Sequence, residues 1–266
     1  MSAPELSVER LQALVVEQRN KIWHLQEKFL ALQQALVAAN GLQLVPAGGP
    51  LAEVAPVELS RSEGAETTVI VFAGLNLRSG IPQKEFARSL SDRNVNILFV
   101  KDFFQSWYLR GLLGVSADID GTADFLRGAV PEGTRRIRCL GVSSGAFGAI
   151  HVGLRLGADR ILAFSPQTLI RPVEFDLFGS FDTYQHRIDF TSPDVDLVKV
   201  MERFPDHAGR LQIYYSAGYV HDVNYARRLA AFPSVELHPV DHDTHAAVTH
   251  LAGTGELEPI LDAFCA

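Results

Sequence analysis

The sequence predicts an α/β protein: a three-layer domain with a mostly parallel sheet, preceded by a long N-terminal α-helix. Three observations predict it. Apolar runs rich in Val, Ile, Leu and Phe recur at 67–73, 95–100, 137–142, 160–164, 211–216 and 235–240. Such near-continuous apolarity marks strands buried on both faces, as in parallel sheets. Helix-like segments at 82–91, 117–127, 145–156, 222–231 and after 245 separate most of these runs. Strands alternating with helices give a layered α/β architecture, and right-handed crossovers place helices on both faces of the sheet. The first forty residues follow a different period altogether.

In that N-terminal segment Val8, Val15, Ile22, Phe29 and Leu36 recur every seven residues. Leu11, Leu25 and Leu32 fall three residues after members of that series, with Gln18 the one polar residue in the second set. This is an a/d seam over about four heptads. Gly41 is the expected stop. Two readings follow: an amphipathic helix lying on its own domain, or a coiled coil that joins copies into a homo-oligomer, with Gln18 fixing the register. The expected organisation is a helix over 1–41, a Pro/Gly/Ala-rich linker with short edge strands over 42–66, and the α/β domain over 67–266. Within that domain the connection 168–210 is too long for a simple crossover and carries Phe175, Phe178, Phe181, Tyr184 and Phe190. A connection of this kind reads as a lid or pocket wall, the alternative being aromatics that simply pack on the domain.

A chain of 266 residues supports one large domain with a substantial core. Hydrophobic residues at 47% and charged residues at 21% are ordinary for a globular protein. The net charge of −7, with no basic stripe, argues against nucleic acid as the main partner. Cys139 and Cys265 lack metal or redox spacing, so no disulfide framework is expected, and Cys139 reads as a buried small hydrophobe. MSAPELSVER has no basic start followed by an apolar core, and no stretch approaches the roughly 20 apolar residues of a membrane span. The expected location is cytoplasmic.

The chemistry centres on IRCLGVSSGAFGAI, residues 137–150. Gly141-Val142-Ser143-Ser144-Gly145 matches G-x-S-x-G. The five residues alone arise by chance in roughly one chain in ten of this size, so context decides. A buried strand precedes them and a small-residue helix follows, the setting in which Ser143 sits as a nucleophile on a strained turn.

With VFAGL (71–75), Asp102…Trp107-Tyr108, GVSSG and FSPQ (164–167), the chain from about 67 onward resembles the α/β-hydrolase superfamily. More narrowly it resembles bacterial serine hydrolases, some of them associated with surface-polysaccharide systems. The resemblance covers about three quarters of the chain and leaves the N-terminal helix outside. It implies the order nucleophile, acid, histidine, each after a strand end. The acid is then Asp222, whose alternative role is capping the helix that follows; Asp176 and Asp194 are weaker candidates. The histidine lies in HPVDHDTHAAVTHL, where His245 fits best as a loop histidine before a helix and His242 is second, with His238 and His250 further off. The oxyanion hole implied is the Ser144 N–H with the Leu75 N–H, Gly74 giving the backbone room. Where many relatives have His-Gly this chain has AGL, and it lacks a triple-glycine loop, so Asn76 enters either as a further side-chain donor or as a residue that only shapes the turn. Asn76, Trp107, Tyr108 and Gln167 are the expected substrate-binding residues, the alternative for Trp107 and Tyr108 being aromatics of the core. Asp102 is expected to contact the nucleophile elbow or its own loop.

The function implied is cleavage of a carboxylic ester through a Ser-His-Asp triad and an acyl-enzyme, with no cofactor. The alternatives are an O-acyltransferase acting on a carbohydrate with the same triad, and a non-catalytic coiled-coil interaction protein that retains the fold. A metal reading of His238, His242, Asp243 and His245 lacks any H-E-x-x-H or paired-cysteine element, and no metal site is assigned.

Overall fold

The computed structural model describes residues 8–75, 89–171, 187–207 and 209–266. The six apolar runs form β3 (Thr67–Phe72), β4 (Asn96–Val100), β5 (Arg136–Val142), β6 (Arg160–Phe164), β7 (Arg210–Ser216) and β8 (Val235–Val240), each within one residue of its predicted bounds. The segment expected as a linker supplies two more strands, β1 (Leu44–Pro46) and β2 (Val57–Ser60). All eight join one sheet in the order β1-β2-β4-β3-β5-β6-β7-β8. β2 runs antiparallel to β4, and every other pair is parallel. Pro46 sits on the outermost strand, where a missing N–H costs no ladder bond. The buried Glu58 carboxylate meets the buried Lys101 ammonium, an ion pair that ties β2 to the chain leaving β4.

Side chains alternate across the sheet and give it two packed faces. Ile70, Phe72, Leu98, Val100, Cys139, Ile161, Ala163 and Ile213 share one core with α2 (Ile119–Ala129), α3 (Ser144–Leu156) and α4 (Leu197–Glu202). Val69, Val71, Ile97, Phe99, Leu140, Val142, Leu162 and Phe164 share the other with α6 (Ala247–Thr254) and α7 (Leu257–Cys265). Three layers result. Between β7 and β8 lies α5 (Val220–Arg227), which starts two residues before its predicted position and ends four before. Asp222 therefore sits inside the first turn, and Tyr219 occupies the cap position that Asp222 was a candidate for. The predicted helix 82–91 falls largely outside the described residues; its end at 89–91 is helical.

The first helix, α1 (Val8–Ala39), ends just before Gly41, which takes the left-handed conformation that stops a helix. It lies on the domain through Leu30 and Val37, 9% and 0% exposed. Leu30 packs with Phe104 and Leu113, and Val37 with Leu42, Val45 and Ala55. Of the long connection 168–210, Phe175, Phe178, Phe181, Tyr184 and Asp176 lie outside the described residues. The described remainder is built into the body: Leu169 bridges to Asp196, Thr168 Oγ1 donates to the Tyr225 carbonyl at 2.9 Å, and Val195, Leu197, Val200 and Met201 are buried in the main core. Among the described residues no helix is long and apolar enough to cross a membrane.

Candidate active site

Six consecutive strands, β3 to β8, point their carboxyl ends toward one edge, and the expected site residues leave from those ends. β3 and β5 are neighbours whose connections run in opposite directions, so the edge is a topological switch point, where open α/β sheets form their crevice.

Ser143 follows β5 directly and has φ 55 and ψ −118, a conformation that costs a non-glycine residue energy and lifts its side chain out of the turn. The turn survives because of what lies beneath it. A Cβ on Gly145 would stand 2.3 Å from the Phe72 carbonyl oxygen, so only glycine lets α3 start against the end of β3. The Ser143 N–H donates to the Phe164 carbonyl at 2.9 Å, which fixes the elbow against β6.

The structure brings Ser143, Asp222 and His245 together. His245 Nε2 is 2.9 Å from Ser143 Oγ, and its Nδ1 is 2.6 Å from Asp222 Oδ1. With a carboxylate on Nδ1, the ring proton belongs there, and Nε2 accepts from the serine hydroxyl. Asp222 is 1% exposed, and its other oxygen accepts from Ser165 Oγ at 2.6 Å and from the Ser216 N–H at 3.4 Å. Its bonds go to the neighbouring strand ends rather than to its own helix, so it does not act as an N-cap. The His245 side chain is 31% exposed, so one end of this relay is open to water.

His242, second in the sequence reading, bonds Thr244 Oγ1 at 2.8 Å and stacks on His250. His238, within β8, stacks on its register partner Tyr214 of β7. Asp194 is held by Arg155 and Arg203, with its carbonyl accepting from His151 at 2.8 Å. Among the described residues no group of three or more His, Cys, Asp or Glu is arranged to hold a metal ion.

As the first residue of α3, Ser144 has no intrahelical acceptor for its N–H, which leaves that donor beside Ser143. Leu75 follows β3 and is half-buried at the same edge. Asn76 lies outside the described residues.

Trp107 and Tyr108 require a correction as substrate-binding residues: both are 0% exposed and have no free surface to offer. Trp107 Nε1–H donates to Gln167 Oε1 at 2.6 Å, which engages the amide oxygen of the fourth expected contact, itself 8% exposed. The Tyr108 hydroxyl lies 2.7 Å from the Ala73 carbonyl and 3.1 Å from that of Val100. Asp102 holds this loop, one oxygen accepting from the N–H groups of Ser106 (2.6 Å) and Tyr108 (3.0 Å). Gln105, Trp107 and Tyr108 all have positive φ, so a strained loop is kept in shape by one buried carboxylate. The other oxygen of Asp102 has no hydrogen-bond partner, and burial pushes its pKa up to about 6 against the lowering effect of those N–H donors. These residues support the floor of the site: Tyr108 grips the Ala73 carbonyl just before Gly74 and Leu75.

Two neighbours of the site escaped the sequence reading. Ser165 lies in the FSPQ stretch, yet nothing in the sequence says that its hydroxyl reaches Asp222, 57 residues away. Tyr219, at the start of α5, places its ring 6.1 Å from that of His245.

No family model matches the chain, and no curated protein matches it in sequence. Solved structures do. The chain is similar to FphF, a fluorophosphonate-binding serine hydrolase of Staphylococcus aureus, at 11% identity and a TM-score of 0.55 over 78% of this chain and 85% of that one. It is similar to the capsule O-acetyltransferase of Neisseria meningitidis serogroup A, at 15% identity and a TM-score of 0.54 over 76% of this chain and 90% of that one. A carboxylesterase structure from the thaumarchaeon Nitrososphaera gargenis matches at 10% identity and a TM-score of 0.54 over 78% and 94%. These likenesses and the strand order agree: the chain has the α/β-hydrolase fold.

Proposed function

We propose that this protein is a serine hydrolase that cleaves carboxylic esters, with Ser143 as nucleophile, His245 as general base and acid, and Asp222 as the group that orients the imidazole. The observation that carries this reading is the unbroken relay from Asp222 through His245 to Ser143, at 2.6 and 2.9 Å, on an elbow with positive φ. His245 Nε2 takes the Ser143 proton as the Oγ–carbon bond forms, and the substrate carbonyl becomes an oxyanion. The amides of Ser144 and Leu75 stabilise that charge. The oxyanion collapses, the ester C–O bond breaks, and the leaving alkoxide takes the proton from His245. Water then repeats the sequence on the acyl-enzyme and releases the acid and free Ser143.

A second reading has a sugar hydroxyl in place of water, making the protein a carbohydrate O-acyltransferase. Its support is the fold shared with the capsule O-acetyltransferase. The exposure of His245 favours water, because transfer needs water kept away from the acyl-enzyme.

A panel of acyl esters, together with a fluorophosphonate probe, tests the proposal. The intact protein should hydrolyse at least one ester and label at Ser143, and Ser143→Ala should lose both, with kcat lower by up to about 10⁶-fold. A folded protein that neither labels nor turns over any ester would leave the non-catalytic scaffold as the better account. Acylated sugar exceeding free acid when both acceptors are present would select the transferase.

A further inference from the structure

The first helix carries two apolar stripes, and the fold uses one of them. With Val15, Ile22, Phe29 and Leu36 as heptad position a, the residues that face the domain are Trp23, Leu30 and Val37, all at position b. Position b lies 100° around the helix from a. Polar contacts brace the same inner side: Arg187 Nη2 donates to Gln26 at 2.8 Å, Gln33 donates to the Val54 carbonyl at 3.3 Å, and Arg110 pairs with Glu27 at 3.5 Å. The a/d seam is turned away. Val15 is 50% exposed, Ile22 55%, Leu25 65%, Phe29 66%, Leu32 72% and Leu36 49%. With Leu14 and Val16, this helix holds eight of the ten exposed large hydrophobics among the described residues. Scattered apolar side chains need no explanation, but a continuous stripe of this size marks an interaction site.

We propose that this seam joins two copies of the chain as a parallel, in-register, two-stranded coiled coil. The period selects the occupant. A repeat of 3.5 residues keeps a stripe facing one partner helix along its whole length through a left-handed supercoil. The area is sufficient: at roughly 100 Å² for each of the six exposed a/d side chains and for Leu14 beside them, each copy offers about 700 Å², close to the about 800 Å² per partner of a stable interface. The domain covers position b and leaves the a and d side chains of α1 about half to three quarters exposed.

Charge and polarity select the orientation. In a parallel pair d faces d, so Gln18 meets Gln18 of the second copy and the two amides bond each other. In a fully overlapped antiparallel pair a faces d, which sets Gln18 against Phe29 of the second copy. That arrangement also sets position g against g, bringing Lys21 against Lys28 of the second copy twice over. In the parallel pair Lys21 of the second copy approaches Gln26, whose oxygen already accepts from Arg187, and Lys28 approaches Gln33, so no two lysines meet.

Sedimentation equilibrium of the full-length chain at micromolar concentration tests the pairing. The native chain should sediment at twice its 29.2 kDa, and the double variant Leu25→Glu/Phe29→Glu at 29.2 kDa with native circular dichroism. Both replaced side chains are about two thirds exposed in the single copy, so the change leaves the fold intact. A native monomer, a higher oligomer, or a dimer unchanged by the double variant would each overturn the proposal. So would a native chain that stays monomeric and pellets with vesicles of phosphatidylcholine and phosphatidylserine. Gln18→Cys under mild oxidation tests the orientation: a disulfide-linked dimer absent from the oxidised native chain supports it, and a dimer that fails to cross-link overturns the parallel register.

Discussion

At the scale of single residues, the candidate site depends on a carboxylate that is nearly dry and fully employed. Asp222 accepts from His245 with one oxygen and from Ser165 and Ser216 with the other. Asp222→Asn should reduce kcat by about 10⁴-fold with the fold intact, because the amide favours the wrong imidazole tautomer. Ser165→Ala removes a bond to a charged acceptor, of the kind that contributes about 1.5–3 kcal/mol. Steady-state kinetics should show kcat lower by about ten- to a hundredfold and KM little changed. Asp102 makes a different prediction. Its folded pKa of about 6 lies above the ordinary 3.8, so the folded state holds its proton more tightly than the unfolded state. Its contribution to stability is therefore greatest below the ordinary value and is lost as pH rises through about 6. Urea unfolding of the native chain and of Asp102→Asn should diverge by about 3 kcal/mol between these limits, the variant gaining relative to the native chain as pH rises. The buried His151, pushed down to about 3 by burial and by Arg155, titrates with the opposite sign in both proteins and cancels in the difference.

At the scale of elements, the elbow works because α3 approaches its neighbours closely. On Gly148 a Cβ would stand 2.4 Å from the Tyr108 ring, the same ring whose hydroxyl grips the Ala73 carbonyl. Gly148→Ala should therefore cost about 1–3 kcal/mol by overpacking and also lower kcat, since the strain is transmitted to the segment carrying the Leu75 amide. Thermal unfolding and ester kinetics on one sample check both. The strands were legible because burial on both faces writes a continuous apolar run. The edge strand β1 and its neighbour β2 were only faintly so, being three and four residues long within a Pro/Gly-rich stretch. α5 starts two residues before its expected position because Asp222 reads in sequence as a cap, while its carboxylate is claimed by Ser165, just past β6, a contact that sequence proximity does not reveal.

At the scale of the whole molecule, one chain supplies Ser143, Asp222 and His245, so a pair of chains would hold two complete sites. The Leu25→Glu/Phe29→Glu variant should keep the kcat of the native chain per subunit. The two stripes of α1 also separate in their dependence on concentration. Leu30→Ala opens a cavity against Phe104 and Leu113 and should cost about 2–4 kcal/mol at any dilution. Leu32, 72% exposed in a single copy, should matter only when chains are paired, so the cost of Leu32→Ala should vanish on dilution. Unfolding curves at two chain concentrations distinguish the stripes.

By itself the sequence determined the layered α/β class, the strand bounds, the serine on its turn and the heptad seam, because each is written in local period and local backbone demand. It also supplied the order of nucleophile, acid and histidine through resemblance. Only the tertiary structure decided which face of α1 the domain covers, since the b-position series of Trp23, Leu30 and Val37 carries the same seven-residue spacing as the a series. It alone decided that Trp107 and Tyr108 are buried supports and that Ser165 reaches Asp222. Those contacts join strand ends far apart in the chain, and no local pattern encodes which distant group will occupy the space beside a side chain.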